Sequence, residues 1–446
     1  MPEVTHVIKR SGAVVPYKKE RIANAVYRAA VAVGGRDKEK AALLAEDVEK
    51  LLFEKCADGH VPHIEEVQDI VEKVLIENGH AKVAKEYILY RNERNIKRKA
   101  TSEKASNPSE NVPWAKIWRV LDWAMKYKLN TIEVMNSRIR SGEFPQIVHE
   151  CEAAYEDNLD MAADLIIQRA YEIKMVFISG PSSSGKTTTT MKLEHRLKQK
   201  GLKFVALNVD NYFYDLEVHP KDEFGDYDFE TPQALDLEMI DDHLRRLASG
   251  EEVKIPFYDF KNGKRHLEQT PMKLGENEIL IIDCLHGLYP KMSEHIPANQ
   301  KFKVYIEPLM QMKGPEGKYI RWTDIRLMRR MLRDMKFRAY QPQQTLEHWH
   351  YVRTSEMRHI IPYINSTDFI INSAMPYELA IYSAKLKNQF AEWVDKYKTD
   401  PLRGDAFIRA SRVFGFLNSV ISIEDESPIP GDSVIREFIG GSTLKY

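Results

Sequence analysis

The sequence predicts an α/β fold: a doubly wound, mostly parallel sheet around a P-loop. A small, mostly helical N-terminal domain precedes it, a helical connector joins the two, and a helical extension follows. Three observations predict this. Short apolar runs at 175–179, 204–207, 279–282 and 302–306 have the composition of strands buried on both faces of a parallel sheet. Helical periodicity at 187–200, 235–248 and 322–336 alternates with those runs, the order expected of wound α/β units. The first run also passes directly into Gly180-Pro-Ser-Ser-Ser-Gly185-Lys186-Thr187, a G-x-x-x-x-G-K-[ST] loop that opens a helix.

Taken in order, residues 1–12 alternate apolar and polar side chains and end at Ser11-Gly12, a strand-and-turn pattern. Apolar residues at helical spacing fill 19–33, 38–53 and 64–98, with Asp58-Gly59 and Asn78-Gly79 as breaks. Residues 1–99 are therefore expected to form a strand pair plus helices. Residues 100–113, small, polar and punctuated by Pro108 and Pro113, have the composition of an exposed linker. They open a 100–172 linker and connector, which reads as mostly helical from 114. Its Trp114, Trp118 and Trp123 are expected to bury their rings in a core. The wound sheet is expected to span 173–375. Residues 376–446 read as helical to about Phe416 and loop-like through Pro428-Ile-Pro430-Gly431.

Composition excludes several classes. The 446 residues suffice for roughly three domains at about 150 residues each. Lys plus Arg number 65 against 66 for Asp plus Glu, so no global field draws in nucleic acid or an anionic membrane. Cys56, Cys151 and Cys284 stand far apart with no C-x-x-C pair, which argues against a disulfide framework and for a reducing, cytoplasmic setting. No apolar stretch approaches the length of a membrane span, and no apolar leader stands at the N-terminus. The 14 histidines lack Glu or Cys partners at metal spacing, so no transition-metal site is expected.

The loop specifies chemistry. Gly180, Ser182, Ser183, Ser184 and Gly185 turn backbone N–H groups around phosphate oxygens, and the helix start at Thr187 and Thr188 adds its partial positive charge. Lys186 reaches the β- and γ-phosphates of ATP, and the Thr187 hydroxyl is expected to hold Mg²⁺. Two carboxylates follow strands, where sites of open α/β sheets gather. Asp210 is expected to act as general base on an acceptor hydroxyl and Asp283 as a metal ligand. Arg326, Arg329, Arg330 and Arg333 share one face at helical spacing, with no acidic run at i+4 to satisfy them. They are expected to form a basic lid over the phosphates.

Residues 174–375 resemble the uridine/cytidine kinase and phosphoribulokinase family. The resemblance rests on the loop and on Asp210-Asn-Tyr-Phe213-Tyr214, Phe229-Glu-Thr-Pro232-Gln-Ala-Leu-Asp236, Ile255-Pro-Phe-Tyr258-Asp259-Phe260, Asp283 and Arg329-Arg330-Met-Leu-Arg333-Asp334. It implies a nucleoside kinase in which Asp210 deprotonates the 5′-hydroxyl, Tyr258 lies against the base and Arg330 reaches the sugar. Arg333 and Arg338 then serve the phosphates, and Tyr214 joins the substrate residues. Three positions depart from the family. Glu230 replaces the sugar-binding Asp, Gly263 stands where a His reads the base edge, and His348 stands where a Gln contacts the base. An enlarged pocket at Gly263 and a longer carboxylate at Glu230 make thymidine, or another deoxynucleoside, a candidate beside uridine.

Residues 4–95 resemble an ATP-cone through Val7-Ile-Lys9-Arg10-Ser-Gly12, Pro16-Tyr-Lys18-Lys19-Glu-Arg21-Ile22, Ile64-Glu-Glu-Val67-Gln68-Asp69-Ile-Val71 and Ala84-Lys-Glu-Tyr87-Ile-Leu-Tyr90-Arg91. This implies regulatory ATP or dATP held by Lys9, Arg10 and Lys18 or Lys19, on a chain expected to be a homo-oligomer. Two alternatives stand beside the nucleoside kinase: a nucleotide-gated regulator without phosphotransfer, and a kinase of a non-nucleoside sugar.

Overall fold

A computed structural model describes residues 4–9, 14–57, 59–88, 112–220, 229–275, 277–337, 341–398 and 403–445. The chain divides into two compact units, Met1–Ser109 with Trp393–Arg409 and Glu110–Glu392 with Ala410–Tyr446. The expected linker at 100–111 lies outside the described residues.

In the first unit, strands β1 (His6–Ile8) and β2 (Val14–Pro16) pair antiparallel, with Val7 opposite Val15. Helices α1 (Lys19–Ala32), α2 (Lys38–Lys55), α3 (Ile64–Glu77) and α4 (81–88) follow. Their starts have local causes. Asp37 accepts the Lys40 N–H at 2.9 Å to cap α2, and His63 with Glu66 forms a capping box on α3. Asn78-Gly79 ends α3. One face of each helix meets the hairpin in a core that includes Val7, Ile22, Val26, Val48, Leu52, Val71 and Leu75.

The second unit opens with α5 (Trp114–Lys126), α6 (Ile132–Arg140) and α7 (Phe144–Gln168). Ala124 is the one fully buried residue of α5, while Trp114 is 54% and Trp118 69% exposed, so the tryptophan stripe is not the packed core its composition suggests. The helix lays too little of its surface against the unit to cover both rings.

Five parallel strands form the sheet in the order β4 (Lys203–Asn208), β7 (Glu278–Asp283), β3 (Met175–Ser179), β8 (Lys301–Glu307), β9 (Phe369–Asn372). Every residue of β3 is buried, as a strand covered on both faces requires. The chain leaves β3 through α8 (Lys186–Gln199) to β4, and β7 returns between them. A switch point therefore lies at the carboxyl end of β3, where the glycine-rich loop begins. Helices α9 (Leu237–Ala248), α10 (Trp322–Phe337) and α11 (Pro342–His359) belong to this unit, α12 (Glu378–Tyr397) and α13 (Gly404–Leu417) each have residues in both units, and α14 (Arg436–Ile439) comes last. Strand β9 and the hairpin β5 (Val253–Asp259) with β6 (Lys264–Met272) were not expected. β9 leaves an apolar run of only three residues, Phe369-Ile370-Ile371, and β6 is largely exposed and polar.

Among the described residues, no helix is long and apolar enough to cross a membrane.

Candidate active site

The loop is shaped by close approach. A Cβ on Gly180 would stand 2.3 Å from the carbonyl oxygen of Ile306, so no larger residue fits between β3 and β8 there. Ser183 adopts a left-handed backbone at φ 60 and Gly185 caps α8 at φ 91, the alternation that turns successive N–H groups toward one anion. The Ser183 and Ser184 hydroxyls are buried with no hydrogen-bond partner among the described residues. Lys186 folds back on the loop, donating to the carbonyls of Gly180 at 3.0 Å and Pro181 at 3.3 Å. These donors form a cradle suited to phosphate oxygens.

Helix α10 braces that cradle instead of covering it. Arg326 and Arg329 are fully buried, which corrects the reading of a four-arginine lid. Arg326 is bidentate to Glu356 of α11, and donates to the Ser182 carbonyl at 3.1 Å. Arg329 bonds Glu378 at 2.8 and 3.0 Å and reaches the Ser184 carbonyl at 3.4 Å. The carboxylates that satisfy this face come from other elements and from Asp334, which pairs with Arg330 at 3.2 Å. Arg330 and Arg333 remain in the cleft wall. Arg330 also donates to Ser182 Oγ at 3.0 Å and to Glu230 at 3.4 Å.

The cleft has a volume of about 810 Å³ and joins Lys186, Thr187, Asp210, Glu230, Asp283, Arg330 and Arg333. Asp210 is exposed and lines the cleft from the short turn after β4, where its own N–H donates to Asn208 at 3.0 Å. The surrounding protein raises its carboxyl above the usual range, and Lys186 pulls it back. Burial pushes Asp283 up to about 6, again against Lys186. Glu230 is likewise raised by burial and lowered by Arg330. Phe213, Phe229 and Phe260 supply apolar wall.

Several residues expected in the site lie elsewhere. Tyr258 is buried and does not line the cleft. Its ring packs edge-on to Phe213 at 5.6 Å and Phe260 at 4.9 Å, so it positions rings that do line it. Tyr214 is also absent from the lining and stacks under the Arg265 guanidinium at 5.1 Å. His348 is exposed on α11 with its ring 6.0 Å from Tyr351. Gly263 lies in the β5–β6 turn at φ 63, where a Cβ would stand 2.8 Å from Leu216 Cβ. Glycine is required there by the turn, and the residue does not enlarge the cleft. Arg338 and Arg10 lie outside the described residues. In the first unit Lys9 and Lys18 flank the hairpin strands, and Lys19 pairs with Glu46 and Glu49 of α2, each at 3.5 Å.

Two contributors, His286 and Glu437, carry no motif. His286, three residues past Asp283, lines the cleft at 3% exposure, and burial holds its imidazole down to about 3, so it is neutral. Thr188 gives both its N–H and its hydroxyl to Glu437 of α14, a contact between residues 249 apart in sequence. The hydroxyls and ammonium of the loop fit a polyphosphate. For Mg²⁺, the Thr187 hydroxyl and the Asp283 carboxylate are hard oxygen ligands beside that cradle. Among the described residues no cluster of three or more His, Cys, Asp or Glu side chains could hold a metal. The remaining ligands of such an ion would come from phosphate and water.

Residues 175–379 match the Phosphoribulokinase / Uridine kinase family and residues 5–96 the ATP cone domain. A uridine kinase of Borrelia duttonii (strain Ly) is 29% identical over 213 residues, 47% of this chain and 91% of that protein. Uridine-cytidine kinase B of Dictyostelium discoideum is 25% identical over 198 residues, 44% of this chain and 73% of that protein. Among solved structures, the D-glycerate 3-kinase of Cryptococcus neoformans var. grubii covers 63% of this chain and 87% of its own, at 11% identity and a TM-score of 0.26. Residues 175–379 are a domain of the phosphoribulokinase and uridine kinase family, and the segment ahead of them, 5–96, is an ATP cone domain.

Proposed function

We propose that the chain transfers the γ-phosphoryl group of ATP to the 5′-hydroxyl of a pyrimidine nucleoside, under control of ATP or dATP at the cone. The observation that carries this reading is the single cleft in which a phosphate cradle, the Asp210 carboxylate and the Glu230–Arg330 pair meet beside three phenylalanine rings. Phosphoryl transfer needs positioning and charge stabilisation more than covalent help, and these side chains supply both. Lys186 leaves the loop carbonyls for the β- and γ-phosphates. Asp210 accepts the acceptor's proton, Glu230 and Arg330 orient the sugar hydroxyls, and Arg333 offsets charge on the phosphoryl oxygens. Thr187 and Asp283 would hold Mg²⁺, which when bound would supply charge neutralisation for the phosphates.

The base class follows from relatives that phosphorylate uridine and cytidine by name. Thymidine stands beside them because Glu230 is one methylene longer than the family's Asp and fills space that a missing 2′-hydroxyl leaves. Feedback by a deoxynucleotide at the cone is consistent with that choice. The test is ADP release from the full-length chain with ATP and Mg²⁺, offered uridine, cytidine, thymidine, deoxyuridine, deoxycytidine and purine nucleosides in parallel. Turnover with a pyrimidine nucleoside well above background supports the reading. Background with every nucleoside, or turnover only with a non-nucleoside sugar, contradicts it.

A further inference from the structure

The C-terminal segment returns to the phosphate cradle. Asp432 pairs with Lys192 at 2.8 Å, Ser433 donates to Glu152 at 2.5 Å, and Val434, Ile435 and Phe438 are fully buried. Val434 Cγ2 lies 2.5 Å from where a Cβ on Gly185 would stand, so the segment is seated on the last glycine of the loop. From this seat Glu437, 8% exposed, reaches the amino end of α8. Its Oε2 accepts the Thr188 N–H at 3.2 Å and the Thr188 hydroxyl at 2.9 Å.

Thr188 is the third residue of α8, so its N–H is one of those with no acceptor inside the helix. In a loop of this type such N–H groups cradle the α- and β-phosphates while the lysine reaches the β- and γ-phosphates. Thr188, two residues further into the helix than Lys186, lies on the α-phosphate side. A carboxylate oxygen there has the charge and the acceptor geometry of a phosphate oxygen. Both anions cannot hold the same two donors.

We infer that Glu437 occupies the α-phosphate subsite and sets nucleotide affinity by competing for Thr188. This rests on the nucleotide-binding reading of the loop. The buried backbone around Glu437 stays in place while its side chain turns away as nucleotide enters. A second partner is at hand, since Arg333 Nη1 lies 3.9 Å from Glu437 Oε1. The device gives the cradle an occupant that keeps its helix end satisfied and that only a ligand with its own anion displaces.

The experiment is calorimetric titration of the full-length chain with ADP and Mg²⁺, comparing wild type with Glu437→Gln, Glu437→Asp and Lys186→Ala. Thermal unfolding without nucleotide identifies the folded variants. Glu437→Gln keeps an acceptor for Thr188 but removes the charge, and binding is expected to tighten by about tenfold or more, the size of one charge-assisted hydrogen bond. Glu437→Asp, one methylene short of Thr188, is expected between it and wild type. Equal or weaker binding in the folded Glu437 variants, with Lys186→Ala still weakening affinity, overturns the inference and leaves the nucleotide reading standing. Absence of ADP binding in every chain, the Glu437 variants included, overturns both.

Discussion

His286 is a buried imidazole in the cleft lined by Lys186, Asp210 and Asp283, and its neutrality has a measurable cost in acid. Its folded-state pKa, held down to about 3 by burial, lies below the ordinary value of 6.5, so the folded chain binds this proton less readily than the unfolded one. The stability it contributes is therefore complete above about pH 6.5 and is lost as pH falls toward 3. Urea unfolding of His286→Asn is expected to lose less stability than wild type between pH 7.5 and pH 4.5, by on the order of 3 kcal/mol. Equal losses in the two chains would contradict a buried neutral imidazole. Asp210 makes a different prediction because its proposed role is chemical. Asp210→Asn is expected to lower kcat by about 10²–10⁴ with nucleotide affinity nearly unchanged, the size of a lost general base. Unaltered turnover removes Asp210 from that role.

At the scale of elements, α10 shows how a helix can read as a lid and act as a brace. Its arginine spacing is legible in sequence, but which arginines are buried depends on Glu356 and Glu378, which lie 30 and 49 residues beyond their partners. One chain does not announce such pairings. Glu378→Ala is expected to destabilise the chain by about 3–5 kcal/mol, because it leaves the Arg329 guanidinium buried without its counter-charge. A change under about 1 kcal/mol in urea unfolding would mean that the pair is not the brace, since that is the scale of surface ion pairs. The same distinction explains what else the sequence revealed. The loop and the carboxylates at strand ends were legible because each is fixed by residues next to it. The displacement of Tyr258, Gly263 and His348 from the cleft was not, because it depends on how the β5–β6 hairpin and α11 face the sheet. The Thr188–Glu437 contact joins the loop to α14 over 249 residues of sequence and carries no motif at its Glu437 end.

For the whole molecule, the four principal apolar runs predict four of the five sheet strands, and their alternation with helices predicts a wound parallel sheet but not its strand order. The cone at 5–96 gives the chain a second nucleotide-binding family domain, and its place beside a kinase-family domain has a purpose if ATP and dATP favour different states. With the full-length chain, dATP is expected to change the apparent affinity for ATP or acceptor by about 5- to 150-fold, a coupling of 1–3 kcal/mol. A double Lys18→Ala, Lys19→Ala substitution is expected to abolish that response while leaving turnover without dATP intact. Identical dATP responses in the two chains would remove those lysines from the effector site. Transfer to a nucleoside hydroxyl is read directly by following the phosphoryl group itself. The full-length chain is incubated with ATP labelled in the γ-phosphate, Mg²⁺ and the preferred pyrimidine nucleoside, and the product is resolved by phosphorus–proton NMR. Label is expected in a nucleoside monophosphate, coupled to the 5′ protons. Label found only in inorganic phosphate, or at another hydroxyl, would contradict it.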